Sequence, residues 1–136
     1  MKFYLDTSIW IDLYEDRKGY SGEKLGDFAW KLFSMIKNNG FRIIISDMLI
    51  LELEQKYSMA EIKGMIKLFE TSIDKVLTTK EERNEAHRIS QERNLPSGDV
   101  LHAILARNHK FILVTRDNHF RKLTDICSFH KPEEFI

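Results

Sequence analysis

Lys2-Phe3-Tyr4-Leu5-Asp6-Thr7-Ser8-Ile9-Trp10-Ile11-Asp12 is the stretch whose reading decides the fold. Its first four residues form a short apolar and aromatic run, which reads as a strand. An acid follows at once, and a short helix is expected over Ser8 to Tyr14. A strand that ends on an acid and turns straight into a helix is the opening of an alternating β/α chain. The same order recurs downstream. Arg42-Ile43-Ile44-Ile45-Ser46 is a β-branched run and reads as a buried strand. Asp47 then suits the N-cap of a helix from Met48 to about Tyr57. Phe111-Ile112-Leu113-Val114 is a second strong strand, followed by the turn Thr115-Arg116-Asp117-Asn118 and a short helix near Phe120. Weaker strand patterns lie at Ile73 to Leu77 and at Ile126 to Phe129.

Helical patterns fill the intervals. From Ser21 to Asn39, Leu25, Phe28, Ala29, Leu32, Phe33 and Ile36 fall on one face, and Gly40 ends the run. Ser58 with Glu61, and Thr79 with Glu82, match capping boxes. The second box opens a very polar helix to about Asn94. Leu95-Pro96-Ser97-Gly98 is a break, and Asp99 to His109 is helical again. Strands alternating with helices imply the α/β class, a three-layer α/β/α sandwich around a central, mostly parallel sheet of four to five strands. Right-handed crossovers then gather the strand C-terminal ends on one side, where such sheets place their sites.

The chain has 136 residues, which fits one domain over 1–136. Hydrophobic residues at 43% and charged residues at 31% suit a globular protein rather than a disordered one. Cys127 is the only cysteine, so an internal disulfide and a Cys-rich zinc site are both excluded. A reducing, cytoplasmic setting is expected. The longest stretch free of Asp, Glu, Lys and Arg, Val100 to Ala106, has seven residues, far short of a membrane helix. Asp6 and Asp12 interrupt any signal-peptide core. Lys plus Arg and Asp plus Glu number 21 each. That balance argues against coating nucleic acid by bulk charge, and leaves room for an acidic pocket with a basic rim.

Four acids map to the side where the site is expected. Asp6 follows the first strand and Asp117 follows the strand ending at Val114. Asp99 opens the helix leading into that strand, and Glu52 interrupts Met48-Leu49-Ile50-Leu51-Glu52-Leu53. Each has a purely local explanation: an Asx turn or cap for the aspartates, a solvent-facing position for Glu52. Together, Leu5-Asp6-Thr7-Ser8-Ile9-Trp10-Ile11-Asp12, Ile45 to Leu53, Gly98 to Ala106 and Leu113 to Phe120 resemble the four motifs of PIN-domain ribonucleases, in order and spacing. The resemblance is strongest to the toxins of VapBC toxin–antitoxin pairs. One departure is Glu54-Gln55-Lys56, where the family often has a Gly soon after the second acid.

The resemblance implies that Asp6, Glu52, Asp99 and Asp117 form a catalytic site for Mg²⁺ or Mn²⁺, with Ser8, Thr115 and Asn118 positioning carboxylates or water. The chemistry agrees with the residue types. Hard divalent cations take oxygen ligands and serve phosphodiester hydrolysis. Two carboxylates about 4 Å apart repel by roughly 4 kcal/mol at an effective dielectric near 20, so such a cluster needs a cation, a proton or a basic partner. Arg107, Lys110, Arg116, Arg121 and Lys122 read either as an RNA-facing rim or as a solvated face. His102, between Leu101 and Ala103, reads as structural. Trp10, Ile11, Tyr14, Met48 and Leu49 read either as core or as a groove for a partner. The family further implies a homodimer, an RNA substrate and a cognate antitoxin whose basic amphipathic tail fills the cleft. Two other functions stand beside this one: a catalytically silent PIN-like binding scaffold, and a phosphohydrolase using Asp6 as nucleophile.

Overall fold

The computed structural model of the chain describes residues 1–136. Five strands build one sheet: β1 (Lys2–Leu5), β2 (Arg42–Ser46), β3 (Ile73–Val76), β4 (Ile112–Val114) and β5 (Phe129–His130). Six α-helices connect and cover them: α1 (Thr7–Glu15), α2 (Leu25–Asn38), α3 (Asp47–Glu54), α4 (Met59–Lys67), α5 (Lys80–Arg93) and α6 (Ser97–His109). Short 3₁₀ turns at Glu70–Ser72, Asn118–Leu123 and Pro132–Phe135 complete the chain. The strand order is β3-β2-β1-β4-β5, and every pairing is parallel. This is the α/β/α sandwich read from the alternation of patterns.

Period-two alternation divides the sheet between two cores. Phe3, Leu5, Ile43 and Ile45 face one cluster, with Trp10 of α1, Leu32, Phe33 and Ile36 of α2, Leu49 of α3 and Ile62 of α4. Tyr4, Ile44 and Leu113 face the other, with Ala86 and Ile89 of α5 and Val100 to Ala106 of α6. The polar helix α5 therefore docks through a narrow stripe. Its buried Glu82 takes a hydrogen bond from Asn108 Nδ2 at 2.9 Å, which extends that stripe with a polar contact to α6.

Local corrections have local causes. The cap of α3 is Ser46, whose Oγ accepts from Leu49 N at 3.0 Å, rather than Asp47. The Asp47 carboxylate instead receives Thr78 N at 2.9 Å and Thr78 Oγ1 at 2.8 Å, tying α3 to the segment after β3. Helix α2 begins at Leu25, because Gly19 to Glu23 fold into a turn closed by Gly19 N donating to Glu23 O at 2.7 Å. The last strand is only Phe129–His130, paired with Leu113 and Val114. Met59, the first residue of α4, is 46% exposed.

The order 3-2-1-4-5 fixes where a site can form. From β1 the chain proceeds outward through β2 to β3, then returns to the other side of β1 as β4. The crevice at such a reversal, beyond the strand C-termini, is where open parallel sheets bind ligands. Asp6 N donates to Val114 O at 3.1 Å, so the ends of β1 and β4 are held side by side at that point.

Candidate functional site

Asp6 is the first residue beyond β1, and it caps α1 by accepting from Ser8 N at 3.0 Å. The cap is only part of its setting. Ser8 Oγ donates to Asp6 Oδ1 at 2.6 Å, and the fully buried Thr115 donates from Oγ1 to Asp6 Oδ2 at 2.6 Å. Thr115 Oγ1 also accepts from Asp117 N at 3.0 Å, so one hydroxyl ties Asp6 to the Asp117 backbone. Asp6 is 4% exposed. Burial pushes its carboxyl above the ordinary aspartate range, against the opposing pull of the Ser8 and Thr115 donors and the His102 charge.

Asp99 is the third residue of α6, where the helix dipole favours an acid. Asp117 caps the 3₁₀ turn after β4 by accepting from His119 N at 2.9 Å. His119 Nδ1 lies 3.0 Å from an oxygen of each acid. One ligand atom from each of Asp99, Asp117 and His119 falls within a 4.8 Å group. Burial first, then the charge of Asp117, pushes the Asp99 carboxyl up to about 6, with Asp6 adding to the rise and His102 and His119 opposing it.

Glu52 lies on α3 and is half-buried. Its Oε1 accepts from Thr7 Oγ1 at 2.5 Å and pairs with His102 Nε2 at 2.6 Å. Burial alone would raise its pKa, but the hydrogen bond and charge of His102, with the Thr7 bond, hold it below the usual glutamate value. The other oxygen, Oε2, lies against Gly98. An ideal Cβ on Gly98 would sit 2.5 Å from Oε2, so any larger residue at the start of α6 would push that oxygen aside.

His102 belongs with this site rather than with the apolar core alone. It sits one helical turn after Asp99, so both face the strand ends. Its neighbours Leu101 and Ala103, which made it read as structural, point around the helix to other surfaces. The ring is 1% exposed and bridges Tyr4 OH at 2.5 Å and Glu52. Burial disfavours its charged form, but the hydrogen bond and charge of Glu52, then Asp6 and Asp99, raise its affinity for a proton. Thr7 and Tyr4 were not visible as site residues in sequence, because nothing local marks a hydroxyl that donates across 45 or 98 positions.

The basic residues separate into groups. Arg121 and Lys122 are exposed on the turn that Asp117 caps. Arg107 and Lys110 stand at the far end of α6, roughly 12–16 Å of helical rise from Asp99, so they do not rim this cleft. Arg107 is paired with Glu85 there, Nη2 to Oε1 at 2.8 Å. Arg116 faces away from Asp117, because the backbone is still extended there and alternate side chains take opposite sides. Its guanidinium is committed to Glu133 and to the buried Asp12, with Nε 3.3 Å from Asp12 Oδ2. Asn118 is exposed and makes no side-chain hydrogen bond.

The apolar set also needs correction. Trp10 and Leu49 are core, 1% and 0% exposed, with Trp10 edge-on to Phe33 at 4.7 Å between centroids. Their helix faces point inward because Ile9 and Leu53, one turn away or adjacent, do the same. Ile11 packs partly against that core, and Met48 lines a separate shallow depression with Arg83 and His87. Tyr14 alone of the five is exposed. It lines an apolar groove between α1, α2 and α4 with Leu13, Trp30, Met65 and Leu68, floored by Trp10. No helix is long and apolar enough to cross a membrane.

Residues 3–126 match the family model described as PIN domain. No curated protein matches the chain. Its fold is similar to solved structures at low identity. One is the toxin–antitoxin complex from Klebsiella pneumoniae, 17% identical, with 96% of this chain and 97% of that one covered at a TM-score of 0.66. Another is VapBC2 from Rickettsia felis bound to a promoter DNA fragment, at 18%, 90% and 92%, with a TM-score of 0.64. A third is FitAcB from Neisseria gonorrhoeae, at 13%, 98% and 99%, with a TM-score of 0.61.

Proposed function

The chain belongs to the PIN-domain family, and from that premise we propose that it is a metal-dependent endoribonuclease acting as the toxin of a toxin–antitoxin pair. The observation that carries the proposal is the delivery of Asp6, Asp99 and Asp117 to one strand-end crevice, with Glu52 held by His102 of the helix that Asp99 opens. The donor set is chemically suited to Mg²⁺ or Mn²⁺: carboxylate oxygens, no thiolate, and an Asp99 carboxyl pushed up to about 6 first by burial and then by the charge of Asp117. Bound there, a hard divalent cation supplies Lewis-acid polarisation of a phosphate and an acidified water.

The chain's own groups supply order. Ser8 and Thr115 fix both oxygens of Asp6, and the cap at Asp117 fixes the third acid. An Asp6 nucleophile would have to break these bonds and emerge from burial, so the phosphohydrolase reading has the weaker support. Asp6, Glu52, Asp99 and Asp117 are all present, which disfavours a silent scaffold. We assign Arg121 and Lys122, exposed on the turn that Asp117 caps, to RNA phosphates, where they would contribute a salt-dependent attraction.

The toxin assignment draws support from the solved structures of similar fold, which are toxin–antitoxin assemblies. We assign the groove beside Tyr14, Trp30 and Leu68 to apolar side chains of an antitoxin tail, whose basic residue then reaches the acids. A homodimer is assigned to another face of α4, where Met59 and Leu77 lie exposed around Ile62 and Ile66. The deciding experiment is cleavage of a labelled RNA pool with Mg²⁺ or Mn²⁺, with EDTA, and with Asp6→Asn. Loss of cleavage in the last two supports the proposal. Undiminished cleavage in both refutes it.

A further inference from the structure

Beneath the acidic crevice, one hydrogen-bonded chain links α3, β2, β1, α6 and α3 again. Leu49 N donates to Ser46 Oγ at 3.0 Å. Ser46 Oγ lies 2.6 Å from Tyr4 OH, and Tyr4 OH lies 2.5 Å from His102 Nδ1. His102 Nε2 lies 2.6 Å from Glu52 Oε1. Tyr4, Ser46 and His102 are between 0% and 1% exposed, so water does not share these bonds.

The two ends set the direction. A backbone N–H only donates, and an ionised carboxylate only accepts. With Leu49 donating to Ser46, the Ser46 hydroxyl donates to Tyr4, Tyr4 donates to Nδ1, and Nε2–H donates to Glu52. Every hydrogen then has an acceptor. A hydrogen on Nδ1 would turn Tyr4 around and leave the Ser46 hydrogen without one, since Ser46 Oγ has no other partner. An unsatisfied buried donor costs about 1–3 kcal/mol. In the neutral ring the chain therefore favours the tautomer that faces Glu52 with a donor, and the protonated ring presents the same Nε2–H.

Glu52 is held asymmetrically as a result. Both donors, Nε2–H and Thr7 Oγ1, fall on Oε1. Oε2 has no hydrogen bond and lies against Gly98, the residue before Asp99.

We propose that His102, itself held by Tyr4 and Ser46, is a positioning residue that fixes Glu52 by one oxygen so that the other is presented to a divalent cation beside Asp99. This rests on the reading of the acids as a cation site. It assigns a function to a buried polar chain that core packing alone does not require. An apolar side chain would fill the same space without needing two partners.

The test measures Mn²⁺ binding to the purified full-length protein without RNA, by calorimetry and by the paramagnetic resonance of free Mn²⁺. In His102→Gln the side-chain amide reaches the Nε2 position and can donate to Glu52. In His102→Asn it stops near Nδ1 and cannot. Removing a group that orients a metal ligand typically costs about 10–100-fold in affinity. His102→Asn should fall by that factor, His102→Gln should recover most of it, and Tyr4→Phe should show a smaller loss. In a Glu52→Gln background, His102→Asn should add nothing further, because the two act as one unit. If His102→Asn does not fold by circular dichroism, Tyr4→Phe carries the test. Wild-type binding with His102→Asn or the substituted Tyr4 within about twofold would overturn the positioning role alone, as would equal losses with and without Glu52. A wild-type protein that binds neither Mn²⁺ nor Mg²⁺ would overturn the cation site and this role together.

Discussion

Asp99→Asn should stabilise the protein while removing its function. In the folded chain the Asp99 carboxyl is pushed up to about 6 from an ordinary 3.8, chiefly by burial and then by Asp117. Between those pH values the folded state holds a proton that the unfolded chain has released. Stability therefore falls as pH rises through this window, and the penalty is complete above about pH 6. At about 1.4 kcal/mol per tenfold change in proton affinity, the ceiling is about 3 kcal/mol. The side chain keeps 13% exposure and its His119 contact, so a gain of about 1–2 kcal/mol is the expectation at pH 7.5. Urea unfolding in EDTA should show this gain at pH 7.5 and only a few tenths of a kcal/mol, roughly, at pH 4. Adding Mn²⁺ should reverse the ranking, because a ligand at about 100 times its Kd stabilises its binder by roughly 2.7 kcal/mol. A variant less stable than wild type at pH 7.5 in EDTA would show that Asp99 is not a strained acid, and would refute the reasoning.

Gly98→Ala should forgo the stabilisation of about 0.5–1 kcal/mol usual for alanine in a helix, because its Cβ would meet Glu52 Oε2 at 2.5 Å; denaturation midpoints and Mn²⁺ affinity check this, and a stabilised, fully binding variant contradicts it. Arg116→Ala should cost stability, about 1–3 kcal/mol, by leaving the buried Asp12 with only Arg17, and should leave the affinity for RNA little changed; weaker RNA binding at unchanged stability would return Arg116 to the rim. Trp30→Asp, at a side chain 51% exposed, should leave the fold intact by circular dichroism while weakening capture of a neighbouring-gene antitoxin. Trp10→Ala should instead cost about 3–5 kcal/mol, measured by thermal unfolding.

The sheet was legible because Arg42 to Ser46 and Phe111 to Val114 are β-branched runs bounded by turn residues, and such runs have few alternatives. The four acids grouped in sequence through the resemblance of their motifs, since each alone has a local explanation as a cap, turn or solvent-facing residue. What failed to show in sequence depends on long-range approach. Asp47 looks like a cap until Thr78, 31 residues on, takes both its oxygens. Arg116 adjoins Asp117 in sequence, but extended backbone sends the two side chains to opposite sides. Arg107 and Lys110 belong to the same basic stretch as Arg121, yet a whole helix separates them. Trp10 follows the first acid closely, but its indole turns inward onto Phe33. His102 was judged by its neighbours along the chain, when its partners lie 50 and 98 positions away.

The hydroxyl of Thr115 reaches Asp6 across 109 positions, and it sets a clock. During synthesis, Thr115 is made 109 residues after Asp6. At roughly 5–20 residues per second, on the order of ten seconds separate them. Throughout that interval β1 lacks β4, Asp117 has not been made, and the acids cannot assemble. The crevice therefore matures only after three strands and all six helices have been made. A nascent chain that has reached the end of α6 carries three strands and six helices, yet its acids have still to be brought together.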